Sequence, residues 1–180
     1  MSISSYSFTY KPTMKKLFLI RHAKSGWDDS SLADEDRPLN KRGKKDAPFM
    51  GSLLRKQGVT PDLIISSPAK RAYSTAKKMA KATSYPPDHI QTFEKLYLSS
   101  SDALLEVIHS QPAEVRTLML VGHNPELTEL VPLLCGEPID NVPTCGIVCI
   151  SFLTDTWQAV NKGNSRFEYF DFPKNHKAAE

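Results

Sequence analysis

The chain has 180 residues, a formal net charge of +3, 40% hydrophobic residues and 24% charged residues, which is the composition of one ordinary globular domain. The small charge gives no argument for nucleic acid or a membrane as a partner, and no apolar run approaches the roughly 20 residues that span a bilayer. The three cysteines form neither a C-x-x-C pair nor a cluster with histidine. We therefore expect a cytoplasmic monomer with buried, reduced thiols.

The two ends of the chain are expected to lie outside the fold. Residues 1–13 lack the charged segment and the apolar segment of a secretory signal, and Met14 would make a natural start. We expect residues 1–13 to be a poorly ordered extension, residues 14–175 to form a single domain, and residues 176–180 to be a polar tail.

Strand and helix patterns alternate along most of the chain. Asn40 predicts the N-cap of a helix that closes at Gly58, with Pro48 marking a bend or an early end, and Ser67 followed by Pro68 predicts another helix start. The remaining predicted elements are strands at 17–20, 62–66, 89–93, 116–121, 147–153, 157–160 and 166–172, and helices at 68–83, 101–109 and 125–134. This order predicts a three-layer α/β fold, with helices on both faces of a mainly parallel sheet that ends in a β meander.

Reactive or cationic side chains follow three of the buried strands. Arg21 and His22 follow the first strand, Arg71 lies one turn into the helix after the second, and His123 and Asn124 follow the fourth. Each of these residues alone is typical of a structural or surface position. Because parallel strands end at the same edge of a sheet, however, these side chains can converge there. Arginine forks and a helix N-terminus bind phosphate oxygens, so the joint placement predicts a phosphoryl site.

Four segments, in order along the chain, resemble the histidine phosphatase superfamily, which has the phosphoglycerate mutase-like fold. The first segment carries Arg21 and His22, with Ala23 where the superfamily usually has glycine, and the last carries His123. Within the superfamily, residues 15–172 resemble the short phosphohistidine phosphatases of the SixA type. The four segments are 21–25, 36–43, 66–75 and 121–124.

The resemblance implies a covalent mechanism. His22 would attack phosphorus and form a phosphohistidine that water hydrolyses, which requires a neutral imidazole. Arg21, Arg71 and His123 would bind the phosphoryl oxygens, and flanking arginines should lower the pKa of His22. Further phosphate-binding side chains would come from Ser25 and Asn124. No metal or other cofactor is required, because cationic side chains would neutralise the phosphoryl charge.

The leaving group decides the substrate. An alkoxide needs a general acid, whereas the P–N bond of phosphohistidine needs less help. Longer relatives carry an acidic residue in an insertion after the third strand, and here that connection is short, with Glu94 as the candidate acid and Asp28, Asp34 and Asp36 as weaker ones. An open crevice with weak acid assistance favours phosphohistidine on a protein over an enclosed small substrate.

Other functions stay open at this point. A small-molecule phosphomonoesterase of the same fold is the alternative within enzymes, and a non-catalytic phosphate-binding module is the alternative outside them. The basic clusters at 41–45 and 77–81 lack interleaved aromatic residues, so we expect solvated helix faces rather than a nucleic-acid surface, although they could steer an acidic protein. The sequence does not name the physiological substrate.

Overall fold

A computed structural model of the chain describes residues 13–27 and 30–176. The predictions for residues 1–12 and 177–180, and for Asp28 as an acid, fall outside these ranges. Thr13 donates to the Asp155 carboxylate through its backbone N–H at 2.8 Å and its hydroxyl at 2.7 Å. His176, at the start of the predicted tail, pairs with Asp171 at 2.7 Å. Both residues therefore contact the folded domain.

The strands are β1 Met14–Arg21, β2 Leu63–Ser66, β3 Gln91–Thr92, β4 Thr117–Gly122, β5 Ile147–Leu153 and β6 Ser165–Asp171. These six strands form one mixed sheet in the order β3-β2-β4-β1-β5-β6. The first four strands in this order run parallel, β5 runs antiparallel to β1, and β6 runs antiparallel to β5. The helices are α1 Lys41–Lys56, α2 Lys70–Ala82, α3 Ser101–His109 and α4 Glu126–Cys135. The predicted α/β class is confirmed.

The helices cover both faces of the sheet, as predicted. Along β1, Leu17 and Leu19 face the layer that contains α3 and α4, whereas Phe18 and Ile20 face the layer that contains α1 and α2. All four side chains are at most 1% exposed. Burying such a side chain contributes about 1.5–3 kcal/mol, which explains why a continuous apolar run forms this central strand.

Strand register brings three strand ends to one level. Arg21 at the end of β1 pairs with Gly122 at the end of β4, and Ser66 at the end of β2 pairs with Val121. The segments that leave β1, β2 and β4 therefore start side by side at one edge of the sheet.

One strand of the predicted closing meander is wrong. Residues 157–160 do not form a strand, because Trp157–Ala159 is a 3-10 turn that buries the Trp157 ring and lets its indole N–H donate to the Val115 carbonyl at 2.8 Å. Trp157 and Val160 are both buried, and this apolar pattern indicated a strand. The two other strands predicted for this part of the chain are present as the antiparallel pair β5 and β6.

The predicted start of α1 agrees with the structure, whereas the predicted start of α2 does not. Asn40 caps α1 and accepts from the Gly43 N–H at 2.9 Å, as predicted. Pro48 does not end α1, because it lies at an exposed position where water can bind the carbonyl that it leaves free. The helix start predicted at Ser67 and Pro68 is wrong by two residues, since α2 begins at Lys70 and the Ser67 side chain contacts His123.

The basic clusters are exposed, and the thiols are buried or partly buried. The cationic residues of the two basic clusters are exposed on α1 and α2. Cys145 and Cys149 are buried, which raises the pKa of both thiols, and Cys135 is partly buried. Within residues 13–27 and 30–176, no helix is both long enough and apolar enough to cross a membrane.

Candidate active site

A cavity of about 220 Å³ lies where β1 and β4 end. Six of the seven predicted site residues line this cavity, and they are Arg21, His22, Ser25, Arg71, His123 and Asn124. The side chains that the sequence did not single out are Lys24, Arg37, Tyr97, Leu98, Glu126 and Thr144. Four cations and one carboxylate therefore line the cavity within the described ranges, a balance that favours an anionic ligand.

The backbone fixes the tautomer of His22. Its Nδ1 atom lies 2.8 Å from the Ala23 carbonyl oxygen. Because a carbonyl can only accept, Nδ1 carries the proton, and the lone pair of Nε2 is free for attack. The Ala23 N–H in turn donates to Thr75 Oγ1 at 3.0 Å, which ties this loop to α2.

The start of α1 supports the same loop from the other side. The Asn40 N–H donates to the Lys24 carbonyl at 3.0 Å. A β-carbon on Gly43 would overlap the Lys24 carbonyl oxygen and lie 2.9 Å from the Lys24 nitrogen. Only glycine lets the helix approach the loop this closely, so Gly43 helps to hold His22 in place.

Ser67 is the hydrogen-bond partner of His123. Ser67 Oγ accepts from the Ala69 N–H at 3.2 Å and lies 2.8 Å from His123 Nε2. The hydroxyl can give its one proton to Nε2, and in that arrangement the ring proton of His123 is on Nδ1. His123 Nδ1 is buried and has no partner within the described part of the chain. A proton on Nδ1 would therefore be available to a ligand.

The two imidazoles face the same cavity, with ring centroids 5.0 Å apart. Burial lowers the pKa of His22 to about 4; the Ala23 hydrogen bond opposes the shift, and the charges of Arg71, Arg21 and Arg37 add to it. Burial, followed by the charge of His22, lowers the pKa of His123 to about 3. Both rings are therefore neutral near pH 7.

The three arginines are held by different contacts. Arg21 donates through Nη1 to the Val142 carbonyl at 2.8 Å, and its buried Nε has no partner among the described residues. Arg71 is 6% exposed and donates to the Asp34 carbonyl through Nη1 and to Asp34 Oδ2, at 2.8 Å, through Nη2. Arg37 pairs with Asp34 Oδ1 at 2.7 Å. These contacts fix the guanidinium groups before a ligand arrives.

Comparison with known proteins agrees with this geometry. The family model described as the histidine phosphatase superfamily (branch 1) matches residues 17–97. An uncharacterised chloroplastic protein of Arabidopsis thaliana is 33% identical over 153 residues, which cover 80% of this chain and 69% of that protein. An uncharacterised protein of Mycobacterium tuberculosis is 31% identical over 165 residues, which cover 86% of this chain and 100% of that protein. The chain belongs to the histidine phosphatase superfamily.

The solved structures point to the same superfamily. The crystal structure of the putative phosphohistidine phosphatase SixA from Agrobacterium tumefaciens matches with a TM-score of 0.76 and 28% identity, over 88% of this chain and 98% of that one. The phosphoglycerate mutase-like α/β fold expected from the sequence is thereby confirmed. Family and structure together support a phosphatase.

Asp34 is not available as an acid in this histidine phosphatase. Besides both arginines, it accepts from the Tyr97 hydroxyl at 3.0 Å. Partial burial alone would raise the pKa of Asp34, but hydrogen bonds from Arg37, Tyr97 and Arg71 outweigh it and lower the pKa to about 2. An ionised carboxylate with these partners positions the arginines instead of donating a proton. Asp36, the other described candidate on this loop, is exposed.

The structure does not bring Glu94 to the cavity. Glu94 is exposed and begins a single 3-10 turn that ends at Leu96, and it is not part of the cavity lining in the described ranges. The connection after β3 reaches the cavity through Tyr97 and Leu98 instead.

Ser25 and Asn124 line the cavity but differ in what they can offer. Ser25 is buried and accepts from Arg37 Nη2 at 2.8 Å, so its own hydroxyl proton can still be donated. The amide nitrogen of Asn124 donates to Asn141 Oδ1 and to the Val142 carbonyl, both at 3.0 Å. With its N–H groups used, Asn124 is placed to order the 141–142 segment that also holds Arg21.

Arg37 and Glu126 are the lining residues with the clearest chemistry that sequence reasoning missed. Arg37 adds a third guanidinium, and its position directly before Pro38 in a resembling segment was the available signal. Glu126 follows His123 by three positions, on the first turn of α4. No group of three or more potential metal ligands occurs in the parts of the chain that the structure describes.

Proposed function

We propose that this protein is a phosphatase that works through a covalent phosphohistidine on His22 and acts on phosphohistidine in a protein. The observation that carries the proposal is the pairing of two neutral imidazoles whose ring centroids lie 5.0 Å apart in one cationic cavity. Nε2 of His22 presents a lone pair, and the buried Nδ1 of His123 has no partner among the described residues. Phosphate binding alone would not need a nucleophilic imidazole.

The first chemical step uses these groups directly. His22 Nε2 attacks phosphorus and forms a P–N bond, while the bond to the leaving group breaks. Positive charge develops on the His22 ring, and the hydrogen bond from Nδ1 to the Ala23 carbonyl stabilises that charge. Water then attacks phosphorus, which releases inorganic phosphate and restores neutral His22.

The cations account for the stabilisation of the phosphoryl group. Its oxygens carry the charge during transfer, so fixed donors and cations matter more than covalent assistance. A unit charge about 4 Å away is worth about 4 kcal/mol at an effective dielectric of about 20. Because Arg21, Arg37 and Arg71 are already held in place, little of this energy is lost in ordering them.

The size of the cavity supports a protein-borne substrate. Sites that enclose drug-sized ligands have volumes of roughly 300–1,000 Å³. The 220 Å³ cavity therefore takes a phosphoryl group and part of its leaving group, while the rest of the substrate stays outside. In the described ranges, only residues 93–100 separate β3 from α3, and Leu98 stands 80% exposed beside the cavity.

The test compares kcat/KM for a phosphohistidine-containing protein domain with values for phosphoserine, sugar phosphates and nucleotide monophosphates. We expect kcat/KM for the phosphohistidine domain to be at least about 100-fold higher than for the other substrates. We expect His22→Ala to abolish hydrolysis, because removing one active-site group typically costs several kcal/mol of transition-state stabilisation. His89→Ala is the matched control, because His89 is exposed and does not line the cavity within the described residues.

Three results would contradict the proposal in different ways. A preference for sugar or nucleotide phosphates by orders of magnitude would indicate the small-molecule phosphomonoesterase. Phosphate binding without turnover of any substrate would indicate the binding module. Unchanged hydrolysis by His22→Ala would refute His22 as the nucleophile.

A further inference from the structure

Glu126 is the one carboxylate that lines the cavity within the part of the chain that the structure describes. It is the first residue of α4, where the helix dipole favours negative charge. Within residues 13–27 and 30–176, its buried Oε2 atom has no hydrogen-bond partner and its carboxylate belongs to no ion pair. A buried acceptor without a donor is unfavourable, so we expect the substrate to bring the donor.

The donor does not come from the phosphoryl group. Phosphoryl oxygens are negative during transfer, so a carboxylate repels them, whereas Arg21 and Arg71 attract them. A substrate donor for Glu126 therefore belongs to the part of the substrate that is bonded to the phosphoryl group, which is the leaving group.

We propose, on the basis of the proposed function, that Glu126 binds the leaving group and selects phosphoramidates, substrates whose P–N bond joins phosphorus to a nitrogen base that presents an N–H donor. Phospholysine, phosphoarginine and phosphohistidine that is protonated on its ring share this chemistry.

With phosphohistidine, the second nitrogen of the substrate ring carries a proton, and Glu126 accepts a hydrogen bond from that N–H. His22 Nε2 forms its P–N bond with its lone pair. The substrate's P–N bond breaks, and its electron pair stays on the substrate nitrogen. The imidazole departs neutral, with one proton on the nitrogen that contacts Glu126. Without that proton the leaving group would be an imidazolate, so Glu126 favours the reactive form of the substrate.

Phosphomonoesters gain nothing from this contact. Their leaving oxygen carries no N–H, and a leaving group that bears negative charge is repelled by the carboxylate. Glu126 thus discriminates between two substrate classes by attraction to one and repulsion of the other.

The experiment measures kcat/KM of the full chain and of its Glu126→Gln variant. The substrates are a phosphohistidine peptide, a phospholysine peptide and p-nitrophenyl phosphate. Glutamine keeps the shape of the side chain and removes the charge. We expect a loss of about tenfold or more on the N-phosphorylated peptides, as for a charge-assisted hydrogen bond, and an equal or higher value on p-nitrophenyl phosphate. Glu129→Gln, on the exposed side of the same helix, should change neither class.

The outcomes separate this inference from the proposed function. A loss on only one peptide identifies its nitrogen base as the ligand of Glu126 and supports the inference. An equal loss on p-nitrophenyl phosphate, or no loss on either peptide, overturns it while the preference of the wild type stands. A wild type that hydrolyses p-nitrophenyl phosphate far better than both peptides contradicts the proposed function itself, whatever the effect of Glu126→Gln.

Discussion

Ser67→Ala tests how the tautomer of His123 is set. The substitution removes the hydroxyl 2.8 Å from His123 Nε2, at a position where Ser67 is 0% and His123 8% exposed. A buried nitrogen left without its partner costs about 1–3 kcal/mol of folding stability. The neutral ring can then move its proton from Nδ1 to Nε2, which would remove the donor that faces the cavity.

The substitution should also reduce kcat. Loss of one preorganised donor to a transition-state oxyanion costs about 10²–10³ in kcat, and only part of the His123 population will change tautomer, so we expect a decrease of about 10- to 100-fold. The assay is kcat on p-nitrophenyl phosphate, with ¹⁵N NMR of His123 as a direct readout of the protonated nitrogen.

Ser66→Ala is the matched control for this prediction. Ser66 is equally buried and donates to the Ser67 carbonyl at 2.9 Å, so its loss removes one buried hydrogen bond without touching His123. Equal kcat for the two variants, or an NMR spectrum of the wild type with Nδ1 unprotonated, would refute the reasoning.

Two further predictions concern pH and the loop that carries His22. Because the pKa values of His22 and His123 fall from 6.5 to about 4 and about 3 on folding, the folded state binds fewer protons than the unfolded chain below pH 6.5. Each ring should therefore lower the unfolding free energy by about 2 kcal/mol between pH 7.5 and pH 5. Urea unfolding should show a smaller pH dependence in His22→Asn and His123→Asn, and an unchanged dependence would contradict these shifts. Gly43→Ala should reduce kcat by about tenfold or more, because the new methyl group displaces the loop. Gly58→Ala, at a φ of +74° in open space, should cost about 1 kcal/mol of stability but keep kcat, and similar kcat values for the two variants would count against the loop support.

The convergence of the site could be predicted because it depends on short-range pattern and sheet geometry. The apolar run before Arg21 indicated a strand buried on both faces, and parallel strands place their following residues at one edge. The register of Arg21 with Gly122 then brings His22 and His123 together. Asn40 was predictable as a cap for a similar reason, since its partner Gly43 is only three residues away.

The partners of individual side chains could not be predicted, because they depend on contacts between distant segments. Its position before Pro68 predicts that Ser67 caps a helix, yet its side chain contacts His123, 56 residues away. The sequence makes Asp34 a weak candidate acid, whereas its contacts with Arg71 and Tyr97 keep it ionised. The carboxylate in the cavity comes from the first turn of α4 and not from the connection after β3.

The most direct test of the central claim is to quench a single turnover of ³²P-labelled phosphohistidine peptide and locate the phosphate on the protein. We expect acid-labile, alkali-stable phosphate on Nε2 of His22, absent from His22→Ala. Phosphate on another residue, or hydrolysis by His22→Ala at the wild-type rate, would contradict it.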